Sequence, residues 1–329
     1  MSAAPTRHDW LIAGFSITAL LLVTLLLYHG TVVYLTGLWN QVKIGGYADG
    51  YLVLAISGYL ILRNRRQLSI LNPCPQYKAL LAVLAASLLW LLAALVDVQM
   101  LQSVGLLLLI LALVWTVLGS RVTWALLFPI LFIFFAMPIW FPLSPVLQHL
   151  TTDSVFWAIR FVGIPAFRQG NEIVLPAGIS SITEACSGLR YLLPALALGT
   201  LYGYLNYATL GARLLVVAVA AVAAVLVNLL RVFVVVYLGY ATDMQHPWVE
   251  DHLTLGWYLF GAMVVILLLL DAGLHRRQRS SGFPSEEAKP EAAVLSSGCE
   301  KGRLRQLAVV VAGAMFASAG PAAVHWVNQ

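Results

Sequence analysis

An all-α polytopic membrane protein is the fold class this sequence predicts, and three observations predict it. Of 329 residues, 61% are hydrophobic and only 10% are charged, against about 25% charged in an ordinary soluble domain. The apolar residues are gathered into long runs separated by short polar segments, the pattern of successive spanning helices. Lys and Arg cluster in alternate connections between those runs, which is where orientation signals fall, so the net charge of +5 requires no nucleic-acid partner. About eight helices are expected to form a core, with one more near the C-terminus. An outer-face amphipathic helix and a small β-hairpin are expected just before Cys186.

Nine apolar runs are expected to span, at roughly 11–28, 50–62, 79–95, 101–117, 122–142, 191–206, 213–239, 257–272 and 306–324. The run 50–62 is short for a hydrocarbon core of about 30 Å, which takes about 20 residues, and is expected to recruit Tyr47 to Gly50. Segment 29–49 is expected to be a loop, with re-entry into the membrane as the alternative. The first run is long and no small-residue site closes it, so a cleavable signal peptide is not expected. Three domains follow: a transmembrane core over 1–278, a Ser-, Gly-, Pro-, Glu- and Lys-rich cytoplasmic linker over 279–305, and an additional C-terminal helix within 306–329.

The basic clusters set an orientation. Arg63, Arg65 and Arg66 follow the second run and Arg121 the fourth. Arg213 separates the sixth and seventh, His275, Arg276, Arg277 and Arg279 follow the eighth, and Lys301, Arg303 and Arg305 precede the ninth. All fall on one side if the N-terminus, with Arg7, is cytoplasmic. The opposite connections hold Asp97, Asp153, Glu172, Asp243, Glu250 and Asp251, with Lys43, Arg160 and Arg168 as exceptions.

The longest outer segment is 143–190. Val146, Leu147, Leu150, Val155, Phe156 and Ile159 recur at helical spacing over 145–162, predicting an amphipathic helix on the outer membrane surface. Beyond it, Gln169-Gly170-Asn171 and Pro176-Ala177-Gly178 are turn sequences around Glu172–Leu175 and Ile179–Thr183, predicting a hairpin that delivers the chain to Cys186.

Three polar groups are out of place in this setting. Cys186 immediately precedes the apolar run that starts at Tyr191. A thiol at the head of a helix meets the positive dipole end and free N–H groups, which favour the thiolate, the nucleophilic form. A small apolar packing residue is the bland alternative. Asn228 and Arg231 sit three apart, on one face of an otherwise apolar run. A charge there faces a polar interior, and counting back from Tyr240 puts Arg231 on the order of 13 Å below the outer end. His252 stands just before the eighth run, with Asp243, Glu250 and Asp251 near it in sequence, and Trp248 and Trp257 suit an interfacial belt. The orientation sets Cys186, Arg231 and His252 in or near one leaflet. Together they supply a nucleophile for a carbonyl, a general acid/base and a group to stabilise the oxyanion. The chemistry is acyl transfer at a peptide bond lying just outside a transmembrane helix.

The stretches Glu184-Ala-Cys-Ser-Gly-Leu-Arg-Tyr-Leu192, Asn228-x-x-Arg231 and Asp251-His252-x-x-x-Gly256-Trp257, in this order and membrane context, resemble the exosortase/archaeosortase family. The preceding Gly163-Ile-Pro165, Gly170-Asn171 and Leu175-Pro176 fit too, and the resemblance covers roughly 40–275. It implies a polytopic inner-membrane cysteine protease/transpeptidase. Its substrates would be exported proteins ending in a short motif, often Pro-Glu-Pro, a transmembrane helix and a basic tail, in bacteria that commonly make exopolysaccharide. It also implies that Cys186 is the nucleophile, with Arg231 and His252 as the second and third catalytic residues. Glu184, Ser187, Gly188, Arg190, Asn228, Asp251 and Trp257, from the same motifs, are expected to support the site or bind substrate. The chain departs from the pattern at Tyr47-Ala-Asp49-Gly50, where many members carry Tyr-Ser-His-Gly.

Two other classes remain open at this level: a transporter or polysaccharide-export component with Asn228 and Arg231 lining a polar path, and a lipid-thioester acyltransferase using Cys186. An internal repeat would favour the transporter, and the sequence shows none. Cys74, Cys186 and Cys299 form no C-x-x-C pair and no metal-ligand spacing, so neither a metal nor another cofactor is expected.

Overall fold

A computed structural model describes residues 7–41, 47–280, 308, 310–318 and 320–321. The expected linker 279–305 lies almost entirely outside the described residues, as does part of the expected ninth span. Contacts divide the chain into two compact units, Met1–Ile139 with Val294–Gln329, and Trp140–Ala293.

The first unit contains α1 (Arg7–Leu27), α2 (His29–Asn40), α3 (Gly50–Arg63), α4 (Arg65–Ile70), α5 (Leu80–Leu95) and α6 (Gln99–Phe132). Segment 29–40, expected as a loop, is helical. Gly30 and Gly37 weaken it locally, but Thr31, Leu35, Leu38 and Trp39 bury one side, and Trp90 Nε1 donates to the Thr31 hydroxyl at 2.9 Å. The two runs 101–117 and 122–142 meet inside α6 at Gly119, whose φ of 81° breaks the rod between them. A Cβ at Gly119 would overlap the Cys74 carbonyl oxygen, so the bend depends on glycine. Residues 310–318 are helical and belong to this unit: the Tyr28 hydroxyl donates to the Ala317 carbonyl at 2.7 Å, and Gly320 N to Ser87 Oγ at 3.2 Å. These bonds pack Ala317 against the junction of α1 and α2, and Gly320 against α5 of this unit. Around the Tyr47-Ala-Asp49-Gly50 departure, Tyr47 is buried and Gly50 lies against the Trp39 ring, where a Cβ would not fit.

The second unit contains α7 (Leu143–Phe161), a three-stranded sheet, α8 (Leu189–Asn206), α9 (Leu210–Ala241), α10 (Pro247–Glu250) and α11 (His252–Ser280). The strands are β1 (Phe167–Gln169), β2 (Glu172–Leu175) and β3 (Gly178–Ser181), antiparallel in the order β1-β2-β3. The expected hairpin is thus a meander with an added first strand. Its core joins Val155 and Ile159 of α7, Ile173 and Leu175 of β2, Ile182, and Val232 and Val236 of α9. The amphipathic helix forms where expected, but its buried face is more polar than the periodicity suggested. Ser144, Thr151 and Thr152 are buried with Leu147, Val155 and Ile159, whereas Val146 is 62% and Leu150 46% exposed. In a membrane protein lipid takes the apolar side, and small polar residues bridge helices inside.

Among the described residues, five helices are long and apolar enough to cross a membrane: His8–Leu27, Tyr77–Leu95, Gln99–Ala136, Leu210–Ala241 and His252–Gly273, with Gly50–Arg63 a shorter apolar helix. The 38 residues of Gln99–Ala136 would extend about 57 Å as one rod, nearly twice a hydrocarbon core. The kink at Gly119 resolves them into two runs. The expected span 191–206 is α8, whose Thr200, Tyr202, Tyr204 and Asn206 dilute its apolar content and leave it outside the five. The protein is an all-α, multi-pass membrane protein with one small sheet.

Candidate active site

Cys186 closes a single 3-10 turn, Glu184–Cys186, rather than standing at the head of α8. The helix begins at Leu189, and its cap is Gly188 at φ 95°, a left-handed conformation. Cys186 N donates to the Thr183 carbonyl at 2.8 Å and Ser187 N to that of Glu184 at 3.1 Å, so the turn satisfies its own backbone. Asn228 of α9 fixes it from the side: Nδ2 donates to the Cys186 carbonyl at 3.1 Å and to the Thr151 hydroxyl at 3.2 Å. A Cβ on Gly188 would fall 2.7 Å from that same Nδ2, so Gly188 is required by packing as well as by conformation.

Arg231 is 1% exposed, and it is the bulkiest side chain so buried among the described residues. Nη1 donates to the Tyr191 hydroxyl at 2.6 Å, and the guanidinium carbon lies 5.2 Å from the Tyr191 ring centre. Nε and Nη2 find no hydrogen-bond partner among the described residues. Arginine cannot discard its proton at any relevant pH, and an uncompensated buried charge costs several kcal/mol. Tyr191 reaches Arg231 through a gap over α11: a Cβ on Gly256 would overlap the Tyr191 hydroxyl and approach Arg231 Cδ to 3.0 Å. The spacing His252-x-x-x-Gly256 therefore places an acid/base candidate one helical turn from the residue that makes room for the Arg231–Tyr191 pair.

His252 is the first residue of α11, not a loop residue, and it lines the same cavity as Cys186. Pro247 opens the one-turn α10, which turns the chain between α9 and α11. The antiparallel run α8, α9, α11 brings together the start of one helix, the later part of the next and the start of the third. Cys186, Arg231 and His252 line one cavity of about 180 Å³, with apolar walls from Ile182, Val232, Val235, Val236, Met244 and Val249.

Burial pushes the Cys186 thiol up. The hydrogen bond with His252, the positive charges of Arg231 and His252 and a contact from Thr183 outweigh it, holding the thiol near 7 against its usual 9.0. The Thr183 hydroxyl donates to Sγ at 3.9 Å. Activation thus comes from side chains on α9 and α11, where the sequence pointed to the α8 dipole. Cys186 is the free cysteine among the described residues.

The supporting residues fall differently. Asn228 touches the Cys186 carbonyl. Ser187 is buried and structural: its hydroxyl accepts from Ser144 Oγ at 3.2 Å and its carbonyl from Thr151 Oγ1 at 3.3 Å. Asp251 is exposed and accepts from Thr254 N at 3.2 Å, which holds its carboxyl below the usual range and makes it a cap for α11. Glu184 and Trp257 are exposed and Arg190 half-buried. Tyr191 and Thr183 complete the surroundings without having been singled out, since an aromatic at a span start reads as a belt residue.

The model of the transmembrane exosortases matches residues 39–269, well over half of the chain. The chain belongs to the transmembrane exosortase family. The exosortase match takes in Cys186, Arg231 and His252 and ends within α11, short of the C-terminal segment. No curated protein and no solved structure matches the chain. Membership of the exosortases supports, in general terms, a membrane transpeptidase or protease role.

Proposed function

We propose that the protein is a membrane-embedded cysteine protease/transpeptidase that cleaves exported proteins at a C-terminal motif beside their transmembrane helix. The carrying observation is a buried, only partly paired Arg231 guanidinium lining the same cavity as a free, activated Cys186 thiol and its partner His252. Cys186 Sγ attacks the scissile carbonyl carbon, forming a C–S bond and moving the carbonyl π pair onto oxygen. The idle N–H groups of Arg231 meet that oxyanion, where charge appears only during reaction. The intermediate collapses by breaking the C–N bond as His252 protonates the departing amine. Water or an acceptor amine, deprotonated by His252, then attacks the thioester and restores the thiol. No step draws on a metal or other cofactor.

The substrate is read as an exported protein ending in a short motif, a transmembrane helix and a basic tail. The enzyme is placed in the bacterial inner membrane, N-terminus in the cytoplasm and active site at the periplasmic face, following the basic clusters. Co-expression with a test protein carrying such a tail examines this. Cys186→Ala should abolish processing while inserting normally, and normal processing by that variant would refute the proposal.

A further inference from the structure

The sheet ahead of Cys186 is open on one side. Ile182 N donates to the Asn171 carbonyl at 2.9 Å, and the register continues through Glu172–Ser181, Ile173–Ser180, Val174–Ile179 and Leu175–Gly178. Antiparallel pairs alternate between bonded and non-bonded. Asn171–Ile182 is bonded, so Ile173–Ser180 and Leu175–Gly178 are bonded too, and Ser181 and Ile179 are not bonded to β2. The N–H and C=O groups of Ile179 and Ser181 therefore point away from the sheet, and neither makes a backbone hydrogen bond elsewhere among the described residues. These edge residues line the cavity that holds Cys186, Arg231 and His252.

The opposite edge is different. On β1, Gln169–Glu172 closes a two-residue turn, so Arg168 carries the outward groups there. Arg168 is charged and ion-paired with Asp153, a usual way of blunting a strand edge. The Gly-Ile-Ser-Ser sequence of β3 carries no charge and contributes no such block.

We infer that the free edge of β3 is the substrate-binding edge. The scissile segment of the exported protein joins the sheet as a fourth strand, its backbone pairing at Ile179 and Ser181 and passing its next carbonyl to Cys186. The two pairing residues lie about 6.7 Å apart, so the edge grips about three substrate residues. Main-chain bonds supply the hold, and Val235, Val236 and Met244 select among alternate side chains. This rests on the protease reading above and adds how the peptide is held.

Ile179→Pro and Ser181→Pro each remove one outward N–H without touching the β2 ladder. Arg168→Pro makes the same backbone change on the other edge, losing in addition the exposed side-chain contacts of Arg168 with Asp153 and the Gly170 carbonyl. Processing of the co-expressed test protein should fall about tenfold or more in either β3 variant and stay within about twofold of wild type in Arg168→Pro. Alkylation of Cys186 by iodoacetamide should keep its wild-type pH midpoint in all three. Wild-type processing by both β3 variants, with Cys186→Ala inactive, overturns edge pairing and leaves the protease reading standing; processing by Cys186→Ala overturns that reading instead. A photo-crosslinking benzoylphenylalanine in the Cys186→Ala background needs no tolerance of proline. Crosslinking of the test protein from position 179 and not from 167 is expected. Crosslinking from neither, or as strongly from 167, overturns the inference.

Discussion

The activation of Cys186 can be read directly from its alkylation rate against pH. Its thiol titrates near 7 rather than the usual 9.0. At pH 7 that makes about half of it thiolate, against about 1% for an unperturbed thiol, a gain of about 50-fold. A less basic thiolate is also a weaker nucleophile: with a Brønsted slope of about 0.4–0.5, two units cost about six- to tenfold. Cys186 should therefore react about five- to eightfold faster than an ordinary thiol at pH 7, and about six- to tenfold slower near pH 10. Reactivity is lost as pH falls through the lowered value, because protonation then removes the thiolate. His252→Ala removes the strongest counterweight to burial. Its midpoint should rise by at least about one unit, and its rate curve should cross that of wild type between pH 7 and 9. The assay is iodoacetamide labelling of the detergent-solubilised protein, with the Cys186 peptide quantified by mass spectrometry to separate it from the other cysteines. A wild-type midpoint at 8.5 or above, or identical midpoints in the two proteins, would refute the reasoning.

Arg231→Lys keeps a charge but loses the planar fork, and processing should drop by about a hundredfold; wild-type rates in the co-expression assay would make Arg231 structural only. Tyr191→Phe removes the acceptor of Arg231 Nη1 and should slow processing about tenfold, with the Cys186 midpoint moved by no more than a few tenths of a unit. Gly256→Ala forces the Tyr191 hydroxyl away and crowds Arg231; overpacking of about 1–3 kcal/mol should abolish most processing while membrane insertion, checked by fractionation, persists. Gly188→Ala and Asn228→Ala should each lower thermal stability. The double variant should lose less than the sum, because truncating Asn228 vacates the space the new methyl needs.

Much of the site was legible because the membrane makes polarity conspicuous. Arg231 stands out among valines and leucines, and Asn228 three residues earlier shares its face. The Cys186 stretch and the His252–Trp257 stretch carried the rest. What escaped has physical reasons. Hydrophobic periodicity on α7 mixes interior residues (Leu147, Val155, Ile159) with exposed ones (Val146, Leu150), so Thr151 and Thr152, which are buried, looked like its polar outer face. Residues 29–40 contain two glycines, and only packing of Thr31 against Trp90 and of Trp39 makes them helical. His252 follows Pro247 and two carboxylates and so read as loop; Asp251 served as the helix cap that turns it into the first residue of α11. Tyr191 carried no sequence signal that separates a guanidinium partner from an interfacial ring.

The thiol borrows its reactivity from helices made after it. Cys186 leaves the ribosome 66 residues before His252 (252 − 186), an interval of about 3–13 s at ordinary translation rates. Until α9 and α11 are in place, the thiol lacks the His252 and Arg231 interactions that hold it near 7, and an ordinary thiol is only about 1% thiolate at pH 7. The shift toward thiolate therefore waits on the helix that brings His252.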